Sequence, residues 1–342
     1  MNEPLLLGLV ASQLGPARAR ELLDGLDLHP SLLVDGTDAG GTVPRAVVAQ
    51  ALGVVLLHDL LDRVPSAAAY LADRVAGGGT VLLDHGAVRT VTGVDCGSLP
   101  PGQEALARVL GPLGYAHTYT YDLAALRMTG RSWRHLDLPA HVPQYFVSEL
   151  HADRFSSAFR AAATRVLRTS ADPVTDEARR DLARLETDGA LPPDRAAALL
   201  PELVACFGRH HQDPDEADYE ALLAESAEMA WIATEGTAFN HAADRVDDMV
   251  AVAAAERAAA RPVKDEVEVS ASGRILQTAH RAAMVERPFR RDGATVTRTV
   301  PGSFFELITR RPLPDGTGPD LAFDAANAQQ IFTMTRQAAG PD

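Results

Sequence analysis

The sequence predicts an α+β protein in which two βαβββ modules share one concave sheet, with an N-terminal helical region and a helical insertion. Three observations carry this expectation. The texture alternates, with helix-like apolar spacing over residues 1–78 and strands around one helix over 79–153. Helices return over 154–229, and strands around one helix follow over 230–312, ahead of a C-terminal segment at 313–342. The two strand-rich stretches also repeat each other. One contains "HGAVR" and ends in "FVSEL", the other contains "HAADR" and ends in "FFELI", and His85 to Glu149 spans 64 residues against 65 from His241 to Glu306. Finally, 342 residues exceed one simple core and suit two packed modules with insertions.

The elements follow in order. "PRAVVAQALGVVLLHDLLDRV" has the apolar spacing of a helix, and Pro30, Pro44 and Pro65 punctuate the first region. "GGGTVLLDHGAVRTV" reads as glycines followed by a strand, and "PGQEALARVLGPLG" as a helix with an N-terminal proline and a closing glycine. "YAHTYTYDLAALRM", "WRHLDL" and "PQYFVSEL" read as strands. Four amphipathic segments between 154 and 229 are separated by turn residues. After "WIATEGTAFNHAADRV" come the helix "MVAVAAAERAAA" and the strands "GRILQTAHRAAM", "TVTRTV" and "SFFELITRR". The polar turn "GRHHQDPDE" predicts solvated His210 and His211.

Composition excludes several classes. An apolar fraction of 46% with 23% charged residues is that of a folded globular chain. The formal charge of −14 argues against nucleic acid and anionic membrane as partners. No run of about 18 apolar residues suggests a membrane span. Cys96 and Cys206 form neither a disulfide framework nor a thiolate cluster, and "MNEPLLLGLVASQLG" has an acidic residue where a signal peptide is basic, so a cytoplasmic location is expected.

In an acidic protein, an anionic ligand needs a local positive site. On the strand "VLLDHGAVRTV", His85, Ala87 and Arg89 share one face, and a buried Arg89 needs a partner; Asp84, Asp95 and Glu149 are the candidates within the chain. A ligand carboxylate is another. Two histidines and one carboxylate on one side of a metal leave three positions open, as in non-haem Fe(II) oxygenases. Each residue also has a structural role open to it, His85 as a core histidine and Glu306 as an outward strand residue. A competing signal, His-x-Asp, occurs in "HLD", "HAD" and "HQD"; chance allows roughly one match, three copies cannot all be ligands, and a jelly roll has no helix within its sheets.

The pieces "DHGAVRT", "PQYFVSELHADRFS", "AFNHAADRV", "ILQTAH" and "PGSFFELITRR" resemble the 2-oxoadipate dioxygenase/decarboxylase (hydroxyglutarate synthase) family, from about residue 80 to 335. That resemblance implies a vicinal oxygen chelate fold of paired βαβββ modules. It implies Fe(II) held by His85, His241 and Glu306, a 2-oxo acid gripped by Arg89, and a substrate contact from Gln277. Glu149 would be the counterpart of Glu306 in the first module, with a supporting role. The implied reaction converts an acidic 2-oxo acid and O2 into CO2 and a one-carbon-shorter 2-hydroxy acid, 2-hydroxyglutarate from 2-oxoadipate. An isomerase or lyase using Zn or Ni, or a metal-free ligand-sequestering protein, would keep the same fold. "AADRVDD" is more acidic than the family's run there and points to a different pocket or substrate.

Overall fold

In the computed structural model, which describes residues 3–37 and 39–324, the first stretch folds into four helices. They are α1 (Leu5–Leu14), α2 (Pro16–Asp24), α3 (Arg45–Arg63) and α4 (Pro65–Ala76), with a two-residue strand β1 (Val43–Pro44) before α3. Prolines open α2 and α4, where a missing N–H costs nothing. Of the 19 residues of α3, 14 are buried, so it packs on all sides as a core helix rather than along one stripe.

The first module is β2 (Leu83–Thr92), α5 (Glu104–Leu110), β3 (Tyr115–Leu123), β4 (Met128–His135) and β5 (Gln144–His151). The stretch "YAHTYTYDLAALRM" is not one strand: a 3-10 turn at Ala124–Leu126, with Arg127 in the left-handed region, divides β3 from β4. The strand expected in "WRHLDL" ends at His135. The insertion holds α6 (Ser157–Leu167), α7 (Asp176–Asp188), β6 (Ala190–Leu191), α8 (Pro193–Ala205), α9 (Glu216–Leu223) and α10 (Ala227–Glu235). The Thr175 hydroxyl caps α7 by accepting from the Ala178 N–H, Asp176 and Glu177 face its N-terminal dipole, and Gly189 ends it in the left-handed region. Strands β1 and β6 pair and tie the N-terminal helices to the insertion.

The second module is β7 (His241–Arg245), α11 (Met249–Ala258), β8 (Glu268–Val269), β9 (Ile275–Ala279), β10 (Met284–Arg291), β11 (Ala294–Pro301) and β12 (Phe304–Arg310). One eight-stranded sheet runs β3-β4-β5-β2-β7-β12-β9-β8. At its centre β2 and β7 lie antiparallel, each flanked in parallel by the last strand of its own module. "TVTRTV", expected in this sheet, lies instead in β11, which pairs only with β10. That hairpin leans on the insertion: Phe289 meets Tyr219 edge-on at 4.9 Å, and Arg287 grips Glu235 at 2.7 Å. The module is therefore β7-α11-β8-β9-β12 with a hairpin inserted before its last strand. No helix among the described residues is long and apolar enough to cross a membrane. The expected C-terminal segment is described only to residue 324; the rest of it lies outside the described residues.

Candidate metal centre

Strand β2 can lie flat against the core because Gly86 has no Cβ; the Phe239 ring occupies that space. This leaves His85, Ala87 and Arg89 facing a cavity that His241, Gln277 and Glu306 also line. One strand from each half supplies a histidine, and β12 supplies the carboxylate.

The three possible ligands offer atoms within 4.8 Å of one another and are 2, 6 and 1% exposed, in the order His85, His241, Glu306. His85 Nε2 lies 3.9 Å from Glu306 Oε1, and His241 Nε2 lies 3.5 Å from Oε2. The other ring nitrogen of each imidazole is committed. His85 Nδ1 donates to Asp84 Oδ1 at 2.8 Å, and His241 Nδ1 to Asn240 Oδ1 at 3.2 Å. Both Nε2 lone pairs are thereby aimed at the carboxylate. Burial lowers the pKa of His85 against the opposing pull of Asp84. Burial, with His85 and Arg89 nearby, holds His241 well below the histidine range. Burial, reinforced by Asp84, pushes Glu306 well above the carboxylate range. Two neutral imidazoles and a buried carboxyl whose Oε2 accepts no hydrogen bond form a donor set that a divalent cation would satisfy. The residues fit a metal.

Arg89 is 1% exposed; its guanidinium lies 4.9 Å from the Trp231 ring centroid, and Nη2 reaches Asn240 Oδ1 at 3.5 Å. Two of the acidic side chains considered as its partners pair with other arginines. Asp84 pairs with Arg245 at 2.6 Å and Arg310 at 2.8 Å, and Glu149 with Arg131 at 3.1 Å. Gln277 donates Nε2 to Glu268 Oε2 at 3.1 Å, and Lys264 holds the other Glu268 oxygen at 2.5 Å. A carboxylate only accepts, so this bond fixes which end of the Gln277 amide is the NH2 group, and the carbonyl oxygen and the second N–H remain for other partners.

Three sequence expectations need correction. Glu149 is not the counterpart of Glu306: Gln144 lies opposite His85 and Phe304 opposite His241, so Phe146 holds the position equivalent to Glu306. Glu149, three residues on, faces the other way and accepts from the Gln103 N–H. His211 is not solvated: it is buried with Nε2 donating to Ala233 O, and burial lowers its pKa to about 4, while His210 is half-buried beside Cys206 O and the Thr237 hydroxyl. The acidic run after His241 turns away from the cavity. Asp244 accepts from the Tyr70 hydroxyl at 2.6 Å, and Asp248 caps α11. The His-x-Asp histidines bond elsewhere, His135 to Leu113 O and His151 to Thr129.

Sequence reasoning missed Asp84 and Asn240 as partners of the histidines, and Phe323 as a cavity wall. The first two carried a signal: each stands immediately before its histidine in the repeat, "DHGAVR" and "NHAADR". Phe323 carried none, lying beyond both modules.

A model of the 2-oxoadipate dioxygenase/decarboxylase family matches residues 57–335. A crystal structure of a protein from Ralstonia eutropha JMP134, described as of the glyoxalase superfamily, is 50% identical, with 94% of this chain and 98% of that chain covered and a TM-score of 0.89. Hydroxyglutarate synthase from Oryza sativa, solved with 2-oxoadipate, is 20% identical over 85% of this chain and 93% of its own, with a TM-score of 0.67. The Pseudomonas putida enzyme, also solved with 2-oxoadipate, is 20% identical over 88% and 76%, with a TM-score of 0.61. At that identity these two show a shared fold. No curated protein matches.

Proposed function

The chain belongs to the 2-oxoadipate dioxygenase/decarboxylase family, and from that premise we propose that it is an Fe(II)-dependent enzyme acting on an acidic 2-oxo acid, 2-oxoadipate or a relative. The carrying observation is the meeting of His85, His241 and Glu306 with Arg89 in one cavity. Fe(II), when bound, supplies the redox chemistry by which a 2-oxo acid and O2 become a one-carbon-shorter 2-hydroxy acid and CO2.

The chain's own share is positioning and charge. Arg89, backed by Trp231, offers a planar fork to a substrate carboxylate, a charge-assisted pairing worth more in a dry pocket than in water. Asp84 and Asn240 keep both histidine Nδ1 protons in place, so each ring presents its Nε2 lone pair. Gln277 offers a ligand the carbonyl oxygen as acceptor and its second N–H as donor. Ala87, Phe146 and Phe323 give the cavity apolar walls that exclude water. An isomerase or lyase with four protein ligands would need a donor atom where Phe146 stands, which favours the three-ligand reading.

Oxygen uptake and CO2 release by Fe(II)-loaded protein against a panel of 2-oxo acids test this. Matched uptake and release, greatest with 2-oxoadipate or another dicarboxylic 2-oxo acid, are expected. Metal-loaded protein that consumes no oxygen with any of them overturns the proposal.

A further inference from the structure

Arg310 ends β12 four residues beyond Glu306, and its side chain and that of Asp84 are both fully buried. Its Nε lies 3.0 and 2.9 Å from the two Asp84 oxygens, and Nη2 lies 2.8 Å from Oδ1. That same Oδ1 accepts the His85 Nδ1 proton. The other edge of the guanidinium serves a different segment. Nη1 donates to the carbonyls of Asp320 at 3.0 Å and Ala322 at 2.6 Å, and the guanidinium carbon lies 5.0 Å from the Phe323 ring centroid. Phe323 meets His85 edge-on at 4.9 Å and Phe146 at 5.0 Å, and its N–H donates to the Tyr121 hydroxyl at 3.0 Å.

A buried ion pair is a poor source of stability compared with apolar packing of the same volume. What a guanidinium offers instead is a rigid fork with donors on more than one edge, here divided between a carboxylate and two carbonyls. We propose that Arg310 is a positioning residue for the metal centre: it ties the orientation of His85, through Asp84, to the seating of segment 320–323 over the cavity, so that metal binding and closure by Phe323 are coupled. This rests on the metal-centre reading above. The coupling has a direction fixed by chemistry. A cation on His85 Nε2 makes the Nδ1 proton more acidic, strengthens its bond to Asp84, and so favours the Asp84 position to which Arg310 is locked. By linkage, whatever seats Phe323 also tightens metal binding.

The test measures Co(II) affinity by its visible absorption, together with deuterium exchange of residues 319–324 with and without Co(II). Wild type, Arg310→Lys and Phe323→Ala are compared. In wild type, metal should slow exchange in this segment severalfold. Arg310→Lys keeps the charge, but one ammonium cannot span Asp84 and two carbonyls; its Co(II) Kd should rise about 10–100-fold, with exchange no longer responding to metal. Phe323→Ala leaves the Asp84 pair intact and should still weaken Co(II) about 5-fold or more through lost coupling. It decides the matter if the lysine variant does not fold. Either variant binding Co(II) as wild type does, with metal-dependent exchange preserved, overturns the inference while leaving the metal centre standing. Wild type that binds no Co(II) overturns both.

Discussion

One atom separates the two halves of the site. Asp84 and Asn240 precede their histidines at equivalent positions and each accepts the Nδ1 proton of the histidine that follows it, but only Asp84 carries a charge. The arginine ending each repeat reaches across to the other half: Arg245 pairs with Asp84 at 2.6 Å, and Arg89 reaches Asn240 at 3.5 Å. An aspartate at 240 would therefore set an anion beside the guanidinium assigned to the substrate. Asn240→Asp should raise KM for a 2-oxo dicarboxylate by about 10-fold or more, the scale of one charge-assisted pair, while Co(II) affinity is kept or improved by the more basic His241. A KM unchanged in steady-state oxygen uptake would remove Arg89 from substrate binding. Gln277 carries a parallel logic, since Glu268, held by Lys264, fixes which end of its amide is the NH2 group.

Among elements, the contact between α4 and β7 joins the N-terminal helices to the eight-stranded sheet through Tyr70 and Asp244, with the Leu82 N–H as a second donor to the carboxyl. Burial raises the Asp244 pKa to about 7, while these hydrogen bonds pull the other way. Folded protein then holds a proton there that the unfolded chain has lost above about pH 4. The unfolded state binds fewer protons across that window, so Asp244 costs stability as pH rises from about 4 to about 7, by at most on the order of 4 kcal/mol. Asp244→Asn imitates the protonated side chain. Its stability relative to wild type should be near level at pH 4 and rise toward pH 7 in denaturant unfolding, and a pH-independent difference would show an ordinary carboxyl. The elements differ in how far the sequence disclosed them. The repeat, both histidine strands and the insertion were legible because each has its own periodicity. The β10–β11 hairpin was not, since its alternation is that of any half-buried strand, and only pairing tells a hairpin from a sheet strand. The Glu149 mismatch has a similar cause. The spacing from His85 to its partner Gln144 is 144 − 85 = 59 residues and from His241 to Phe304 is 304 − 241 = 63, so counting along the chain slips where ladder register does not. What lies across the sheet, as Arg310 and Phe323 do, has no local pattern to find.

At the largest scale, the eight-stranded sheet repeats one unit about an approximate twofold between β2 and β7, and the site sits where that symmetry is broken. Four positions are equivalent in pairs, and three carry donor atoms: His85, His241 and Glu306. The fourth is Phe146, whose ring is accommodated over Gly130 and packs against Tyr121 at 5.5 Å and Phe323 at 5.0 Å. With an aromatic wall in place of a fourth ligand, a metal held here would keep positions open for exogenous ligands on an apolar side, as the proposed reaction requires. Phe146→Glu would restore the symmetry. Without metal, two buried carboxyls would then face each other, so the apo protein should lose several kcal/mol, read as a lower unfolding temperature that Zn(II) or Co(II) restores. With metal, a fourth protein ligand should tighten divalent binding by about 10-fold or more while abolishing oxygen uptake, because the proposed reaction needs all three positions that three protein ligands would leave open. Unchanged metal affinity with uptake preserved would mean that the side chain at 146 does not reach the centre. The open face would then owe nothing to the broken twofold.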